Sequence, residues 1–256
     1  MITSAQNAKV KLVRALAGRP RERREAGAFI AEGVRLVEEA HAAGWPFRFV
    51  LYSDDLGDRG QQLLARLRES GTDVEQADAR LLRSLSDTET PQGILAALEP
   101  HELPLATPLD FVLLLDSVRD PGNMGTLLRS ANASGVQAVL LPPESVDPFS
   151  PKVLRAGMGA HFHLPIRAMS WDGIGALLSG MQVFLADMHG APCWQADFRA
   201  PLALMIGGEA AGAGQQGRAL AQRLVSIPML GKTESLNAAV AGSVLMFEVL
   251  RQRSAA

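Results

Sequence analysis

The run Phe111-Val-Leu-Leu-Leu115 constrains this chain more than any other segment. Five consecutive apolar residues show no alternation, so a strand built from them must be covered on both faces. The run enters a Pro121-Gly122 turn, and the residues from there to Gly135 have the length and composition of a helix. A buried strand, a turn and a helix make one unit of a mainly parallel sheet with helices on both faces. The same reading predicts strands over 137–141, 182–186, 202–206 and 224–227. Helices fall between them, and the last runs from about Ser235 to Arg253. In sheets of this kind, ligands bind beyond the carboxyl ends of the strands.

The first hundred residues alternate differently. A helix is predicted over 5–17, with Val10, Val13, Leu16 and Ala17 on one side. Phe29-Ile-Ala31 reads as a strand, Val34 to Ala43 as a helix stopped by Gly44, and Phe47 to Tyr52 as a strand. A charged helix follows over 59–69, then strands at Val74–Ala77 and Ile94–Leu98. This describes a smaller α/β layer structure. Residues 99–110 carry three prolines and little periodicity, as a linker does. The expected organisation is therefore a first domain over 1–100, a linker over 101–110 and a second domain over 111–256.

No run of about 18 uncharged apolar residues is present, so no membrane span is expected. The first residues are polar where a secretion signal needs an apolar stretch. Cys193 is the only cysteine, which suits a cytoplasmic protein. The net charge is −2, yet residues 1–35 hold eight Lys and Arg against three Glu. That is +5 on this arm and −7 on the rest. Lys9, Lys11, Arg21, Arg23 and Arg24 are the candidate contacts to a polyanion. Charge alone allows a solvated helix equally well.

Three segments carry the candidate chemistry, each where a strand should end. The first is Asp120-Pro-Gly-Asn-Met-Gly-Thr-Leu-Leu-Arg-Ser-Ala131. Here Asn123 is placed to cap the helix, and Arg129 lies one turn beyond Gly125. The second is the glycine-rich Gly207-Gly-Glu-Ala-Ala-Gly212, where glycines let a backbone approach a ligand. It lacks both the GxGxxG of a dinucleotide site and the GKS/T of a P-loop, which disfavours an oxidoreductase. The third is Ile227-Pro-Met-Leu-Gly231 followed by Glu234-Ser-Leu-Asn237 and a helix rich in small residues, with Ser235 as the expected N-cap. His161 and His163 would share one face of a strand, but no acidic or cysteine cluster completes a metal site. Cys193 has no activating neighbour in sequence, and Trp45, Trp171 and Trp194 read as packing residues.

Together the three segments resemble the SpoU, or TrmH-like, ribose methyltransferases of the SPOUT class. The patterns are Asp-Pro-x-Asn-x-Gly-x-x-x-Arg-x-Ala over 120–131, Gly-x-Glu-x-x-Gly over 207–212, and Ile-Pro-Met-x-Gly with Glu-Ser-Leu-Asn over 227–237. The resemblance covers about residues 110–253. One departure stands after Asn237, where the family's Val-Ser-Val-Ala is Ala238-Ala-Val-Ala241 here. The first half is similar to the substrate-binding domain of rRNA enzymes in this family, through Ser4-x-x-Asn7-x-x-Val10-Lys11, Phe29-Ile-Ala-Glu-Gly33 and Thr90-Pro-Gln-Gly-Ile94. That domain looks like small α/β RNA-binding ribosomal proteins.

The resemblance implies an α/β catalytic domain with a deep trefoil knot. It also implies S-adenosylmethionine as cofactor, structured RNA and most of all rRNA as substrate, and a homodimer whose site draws on both subunits. No metal is expected, since no ligand cluster is present in the sequence. Gly207, Ile227, Met229, Gly231 and Leu236 are then the expected cofactor contacts. Arg129, Asn123, Glu209, Ser235 and Asn237 are the expected catalytic set. A tRNA 2′-O-methyltransferase and a non-catalytic RNA-binding factor on the same fold are the alternatives.

Overall fold

The computed structural model describes residues 1–209, 212–232 and 235–254. They divide into two compact units, Met1–His101 with Asp147–Phe162, and Glu102–Val146 with His163–Ala256. The segment Asp147–Phe162 thus packs with the first unit, although it follows the start of the second domain in sequence.

The first unit contains α1 (Ala8–Ala17), α2 (Pro20–Ala26), β1 (Phe29–Glu32), α3 (Val34–Ala42), β2 (Phe47–Tyr52), α4 (Asp58–Glu69), β3 (Val74–Gln76), α5 (Ala79–Arg83) and β4 (Ile94–Leu98). Its sheet has the order β1-β4-β2-β3, with β4 antiparallel to both neighbours and β2 parallel to β3. Alternate residues of these strands feed two cores, one on each face. Phe29, Val50, Ile94 and Ala96 join α3 and α4 through Val37, Leu63 and Leu67. Ile30, Leu51, Leu95 and Ala97 join α1 through Val10, Val13 and Leu16.

The first core also takes Leu154, from the helix Pro151–Gly157 (α7 in chain order), and Phe162. The Trp45 indole N–H donates to the Phe162 carbonyl at 3.2 Å. These apolar anchors explain why 147–162 belongs here. The sequence gives no strong periodicity for α2 or α7, because each has only seven residues, and α2 buries Arg23 alone.

The second unit is built on a six-stranded sheet in which every neighbouring pair is parallel, ordered β10-β8-β9-β5-β6-β7. Its elements are β5 (Phe111–Asp116), α6 (Pro121–Ala133), β6 (Ala138–Leu141), β7 (Ile166–Ala168), α8 (Trp171–Leu177), β8 (Gln182–Pro192), β9 (Leu202–Gly207), α9 (Gln215–Leu220), β10 (Arg223–Ser226) and α10 (Ala238–Ser254). Every residue of β5 is buried, as its unbroken apolar run requires. On one face Val112, Leu114, Ala203 and Met205 meet Ile174 of α8. On the other, Gly242 of α10 sits so close to Leu127 of α6 and Ile206 of β9 that a Cβ there would lie 2.4 and 3.2 Å from their side chains.

The structure corrects four local expectations. β8 continues past 186 to Pro192. Its register against β10 jumps from Leu224↔Leu185 to Val225↔Ala191, so residues 186–190 bulge out of the ladder. α10 begins at Ala238, and its cap is Asn237, which accepts from the N–H groups of Ala239 and Val240 at 2.9 and 3.2 Å; Ser235 is not the cap. α6 is capped by Asp120, whose Oδ1 accepts from the Asn123 N–H at 2.7 Å, which leaves the Asn123 side chain free for other partners. His161 lies in a short 3-10 turn, Ala160–Phe162, and not on a strand.

His161 is 1 % exposed. Burial pushes its imidazole down to about 4, against the opposing pull of the Pro148 carbonyl and Asp147. The unfolded chain therefore takes up a proton near the ordinary histidine value of 6.5 while the folded chain resists it. Stability contributed by this site is complete above that value and is lost as pH falls toward 4. The full loss is on the order of 3 kcal/mol. Urea melts at pH 7 and pH 4.5 should show this loss in the native chain and a smaller one in His161→Gln, which removes the titration.

Candidate active site

Parallel packing puts the carboxyl ends of β5, β8, β9 and β10 on one edge of the second unit, and the loops that leave them form the site. Asp116 ends β5 opposite Gly207 of β9. It is buried, and its Oδ2 accepts from the Gly214 N–H at 2.7 Å while Oδ1 accepts from the Ser117 hydroxyl at 3.0 Å. The carboxylate thereby holds the start of α9 against the end of β5.

The glycines of the second segment are needed for close backbone approach. A Cβ on Gly207 would lie 2.3 Å from the Ala213 nitrogen and 2.4 Å from the Gly212 carbonyl carbon. Gly208 and Gly212 exchange backbone hydrogen bonds of 3.2 and 3.0 Å, and Gly212 has φ +67°. Ala210 and Ala211, within this turn, and Thr233 and Glu234, in the third segment, lie outside the described residues.

The three segments meet through one relay of side chains. Asn123 Nδ2 donates to Glu209 Oε1 at 2.7 Å, and Asn237 Nδ2 donates to Asn123 Oδ1 at 2.9 Å. Asn237 Oδ1 then accepts from the first N–H groups of α10. Glu209 Oε2 has no hydrogen-bond partner among the described residues.

Beside the relay is a cleft of about 610 Å³, within the range that accommodates cofactors and drug-sized ligands. Ile206, Ile227, Met229, Leu236 and Leu245 give it apolar walls, and Asp187, His189, Glu209, Arg218 and Ser235 give it polar ones. Of the expected cofactor contacts, Gly207, Ile227, Met229 and Leu236 line the cleft, whereas Gly231 does not.

Four of the five expected catalytic residues come together: Asn123, Glu209 and Asn237 in the relay, with Ser235 and Asn237 in the cleft wall. Arg129 stands apart. It is exposed on the stripe of α6 that includes Gly122 and Thr126, whereas Leu127 and Ser130 face α10. Arg129 has no partner among the described residues and does not line the cleft. The sequence reading missed Asp187, His189 and Arg218. The first two follow the strand predicted over 182–186, so the rule that marked the other loops could have found them. The unexpected extension of β8 concealed where that strand turns away.

The basic arm of the first unit is less free than its charge suggests. Arg23 is buried, bound to Asp147 at 2.7 Å and to the carbonyls of Leu16 and Gly18 at 2.7 and 3.1 Å. It braces the end of α1 and cannot be offered to RNA. Lys9 is held by Asp73 and Glu75 at 2.6 and 2.9 Å and lies over the Phe49 ring. Burial would lower its ammonium group, but the two carboxylates outweigh that and raise it. Arg21 pairs with Glu25 at 2.6 Å. Lys11 and Arg24 are exposed and have no ion-pair partner among the described residues, as do Arg14, Arg19 and Arg35.

Among the described residues no group of three or more His, Cys, Asp or Glu could hold a metal. Cys193 is buried, and burial pushes its thiol up. Trp194 is 53 % exposed, so it is not a packing residue of this chain.

Known proteins share the fold. The SpoU rRNA Methylase family matches residues 110–247, and an MRM3-like substrate binding domain matches residues 7–96. The chain is 34% identical over 251 residues to the 23S rRNA (guanosine(2553)-2′-O)-methyltransferase RlmP of Bacillus subtilis, covering 97% of this chain and 98% of that one. Its structure is similar to the SpoU methyltransferase AviRb from Streptomyces viridochromogenes in complex with the cofactor AdoMet. The TM-score is 0.87 at 32% identity, covering 97% of this chain and 99% of that one. An AdoMet-bound rRNA methyltransferase from Sinorhizobium meliloti gives 0.86 at 31% identity, with 98% and 97% covered. The chain belongs to the SpoU rRNA methylase family.

The packing around the second segment sets a direct test. Gly207→Ala should destabilise the second unit by about 1–3 kcal/mol, because the new methyl group meets only backbone. Gly231→Ala, where nothing lies within 4 Å of the added carbon, should leave urea unfolding unchanged. Equal midpoints for the two variants would remove the close-approach argument.

Proposed function

We propose that this protein transfers a methyl group from S-adenosylmethionine to the 2′-hydroxyl of a ribose in rRNA, acting in the cytoplasm as a homodimer. The observation that carries this reading is the Glu209–Asn123–Asn237 relay beside a cleft with apolar walls and a charged rim. The relatives named as 23S rRNA enzymes and the N-terminal substrate-binding domain support rRNA as the substrate. Among the described residues no helix is long and apolar enough to cross a membrane.

The cleft fits the proposed cofactor chemically. Gly207 and Gly212 bring backbone close, Ile227, Met229 and Leu236 offer apolar cover for an adenine, and the rim offers both signs of charge. When bound, S-adenosylmethionine supplies a methyl group already activated on a sulfonium. The protein's own residues have to orient the ribose and manage its proton. Glu209 Oε1 is committed to Asn123, and Oε2 remains to accept a proton or a hydrogen bond from the attacking hydroxyl. A guanidinium stays protonated, so Arg129 acts as a fixed positive charge that grips a phosphate and stabilises the developing alkoxide.

Arg129 does this across a dimer. α10 carries an apolar stripe of Val240, Val244 and Phe247, with Val240 49 % and Phe247 46 % exposed. Pairing two copies on this stripe buries it and brings the Arg129 of one copy to the cleft of the other. The path from β10 at the sheet edge back to α10 on β9 is the part of the chain that would form the trefoil knot.

Arg129→Ala should retain cofactor affinity and lose roughly a hundredfold or more in single-turnover methyl transfer to rRNA. Mixing it with Glu209→Ala should recover about a quarter of native activity through heterodimers with one intact site. No recovery would place Arg129 in its own subunit's site or outside the chemistry.

RNA binding should rest on the free cations of the arm. Replacing Lys11, Arg14 and Arg24 by alanine should weaken RNA binding and flatten its salt dependence. Arg23→Ala should instead lower stability. An unchanged salt slope in the triple variant would mean that the arm is only solvated surface.

A further inference from the structure

The cleft holds one ion pair that the relay does not use. We propose that Asp187 and Arg218 bind the amino-acid tail of S-adenosylmethionine, Arg218 its carboxylate and Asp187 its ammonium group. This assignment rests on the reading of the cleft as the cofactor site.

The pair is built by the irregularity in β8. Residues 186–190 leave the ladder, and at the end of this excursion Gly190 comes so close to β10 that a Cβ would lie 2.4 Å from the Val225 nitrogen. Asp187 is fixed within this excursion. Its Oδ1 accepts from the His189 N–H at 3.0 Å, and its Oδ2 accepts from Arg218 Nη1 at 2.9 Å. The Asp187 side chain is 10 % exposed and that of Arg218 is 49 %. The His189 N–H and Arg218 hold the Asp187 carboxyl below the usual carboxylate range, so it is ionised at neutral pH.

Arg218 is held on a second side, since its Nε donates to the Ala213 carbonyl at 3.2 Å. Two bonds fix the guanidinium plane. Nη2 has no partner among the described residues and lies 3.3 Å from where a Cβ on Gly212 would stand. An unused donor of a planar cation thus lies beside a residue without a side chain, and both residues line the cleft.

An amino acid carries its carboxylate and its ammonium group on one carbon, so its opposite charges are adjacent. An Asp–Arg pair presents the same adjacency with the signs reversed, and each pole can meet its opposite. The remaining lining near Ile206, Ile227, Met229 and Leu236 is apolar, which suits a nucleoside and not a zwitterion. Arg218 is also the only Lys or Arg among the described residues that line the cleft. Among the described residues of one copy, a carboxylate entering there meets no other Lys or Arg.

The test is calorimetry on the full chain with S-adenosylmethionine, S-adenosylhomocysteine and 5′-methylthioadenosine, which keeps the nucleoside but lacks the tail. Arg218→Ala should weaken the first two by about ten- to a hundredfold, the usual worth of a hydrogen bond to a charged group. It should leave methylthioadenosine within about twofold. Arg218→Lys should restore part of the loss, because it keeps the charge and not the fork. Asp187→Asn, which preserves shape, should show the same preference for ligands that carry the tail.

Equal losses for all three ligands would overturn the assignment, since the pair would then read the nucleoside or only shape the loop. Unchanged affinity for S-adenosylmethionine in both Arg218→Ala and Asp187→Asn would overturn it too. If the native chain binds none of the three, the functional reading fails and the assignment fails with it. Native binding with tail-insensitive variants removes the assignment alone.

Discussion

The site depends on the orientation of one amide. A carboxylate can only accept hydrogen bonds, so the contact with Glu209 forces Asn123 to present Nδ2 to it. Oδ1 of Asn123 is then an acceptor and obliges Asn237 to turn its own Nδ2 inward. That turn leaves Asn237 Oδ1 facing the first N–H groups of α10, which need an acceptor. Each bond dictates the next, from a negative charge at one end to the positive end of a helix dipole at the other. Residues 86 and 114 positions apart in sequence are tied in this way. An aspartate or a leucine at 123 would break the sequence of donors and acceptors.

The relay can form only because the loops already lie close together. β5 sets the spacing. It pairs with β9 up to Asp116↔Gly207, and the Asp116 carboxylate then holds the Gly214 N–H. Gly207 admits the returning backbone of Gly212 and Ala213, and Gly208 admits the Ser117 carbonyl at 2.3 Å from its own missing Cβ. The absence of side chains at these points brings the second segment over the end of β5, where Glu209 meets Asn123. The glycine-rich composition of this segment thus serves chain packing first and leaves the cleft as its consequence.

This explains what the sequence could and could not disclose. Phe111–Leu115 announced a buried strand because burial on both faces imposes one residue class, and all of β5 is buried. Asn123, Glu209 and Asn237 were legible as a set only through the motifs that resemble the SpoU methyltransferases, since residue type alone names no partner for any of them. The caps were misassigned because Asp120 and Asn123, like Ser235 and Asn237, are each able to cap a helix. Which member caps is tied to a partner 86 or 114 positions away. Arg23 was taken for an RNA contact because charge in a sequence does not reveal the carbonyls of Leu16 and Gly18 that surround it. Asp187 and Arg218 went unseen because their pairing depends on a register jump between β8 and β10, and no local pattern records it.

Arg129 shows the same limit at a larger scale. Its place in the first segment marks it for chemistry, yet α6 turns it away from the relay and from the cleft of its own chain. Among the described residues of that cleft the one permanent cation is Arg218, and two of its donors are already used. A ribose oxygen that gains negative charge as it attacks needs a positive group nearby. Glu209 has the wrong sign for that task. Arg129 has no partner among the described residues, and Val240 and Phe247 of the apolar stripe are exposed. A second copy would answer both deficits at once: the stripe needs an apolar surface, the attacking oxygen needs a cation, and the same chain carries each.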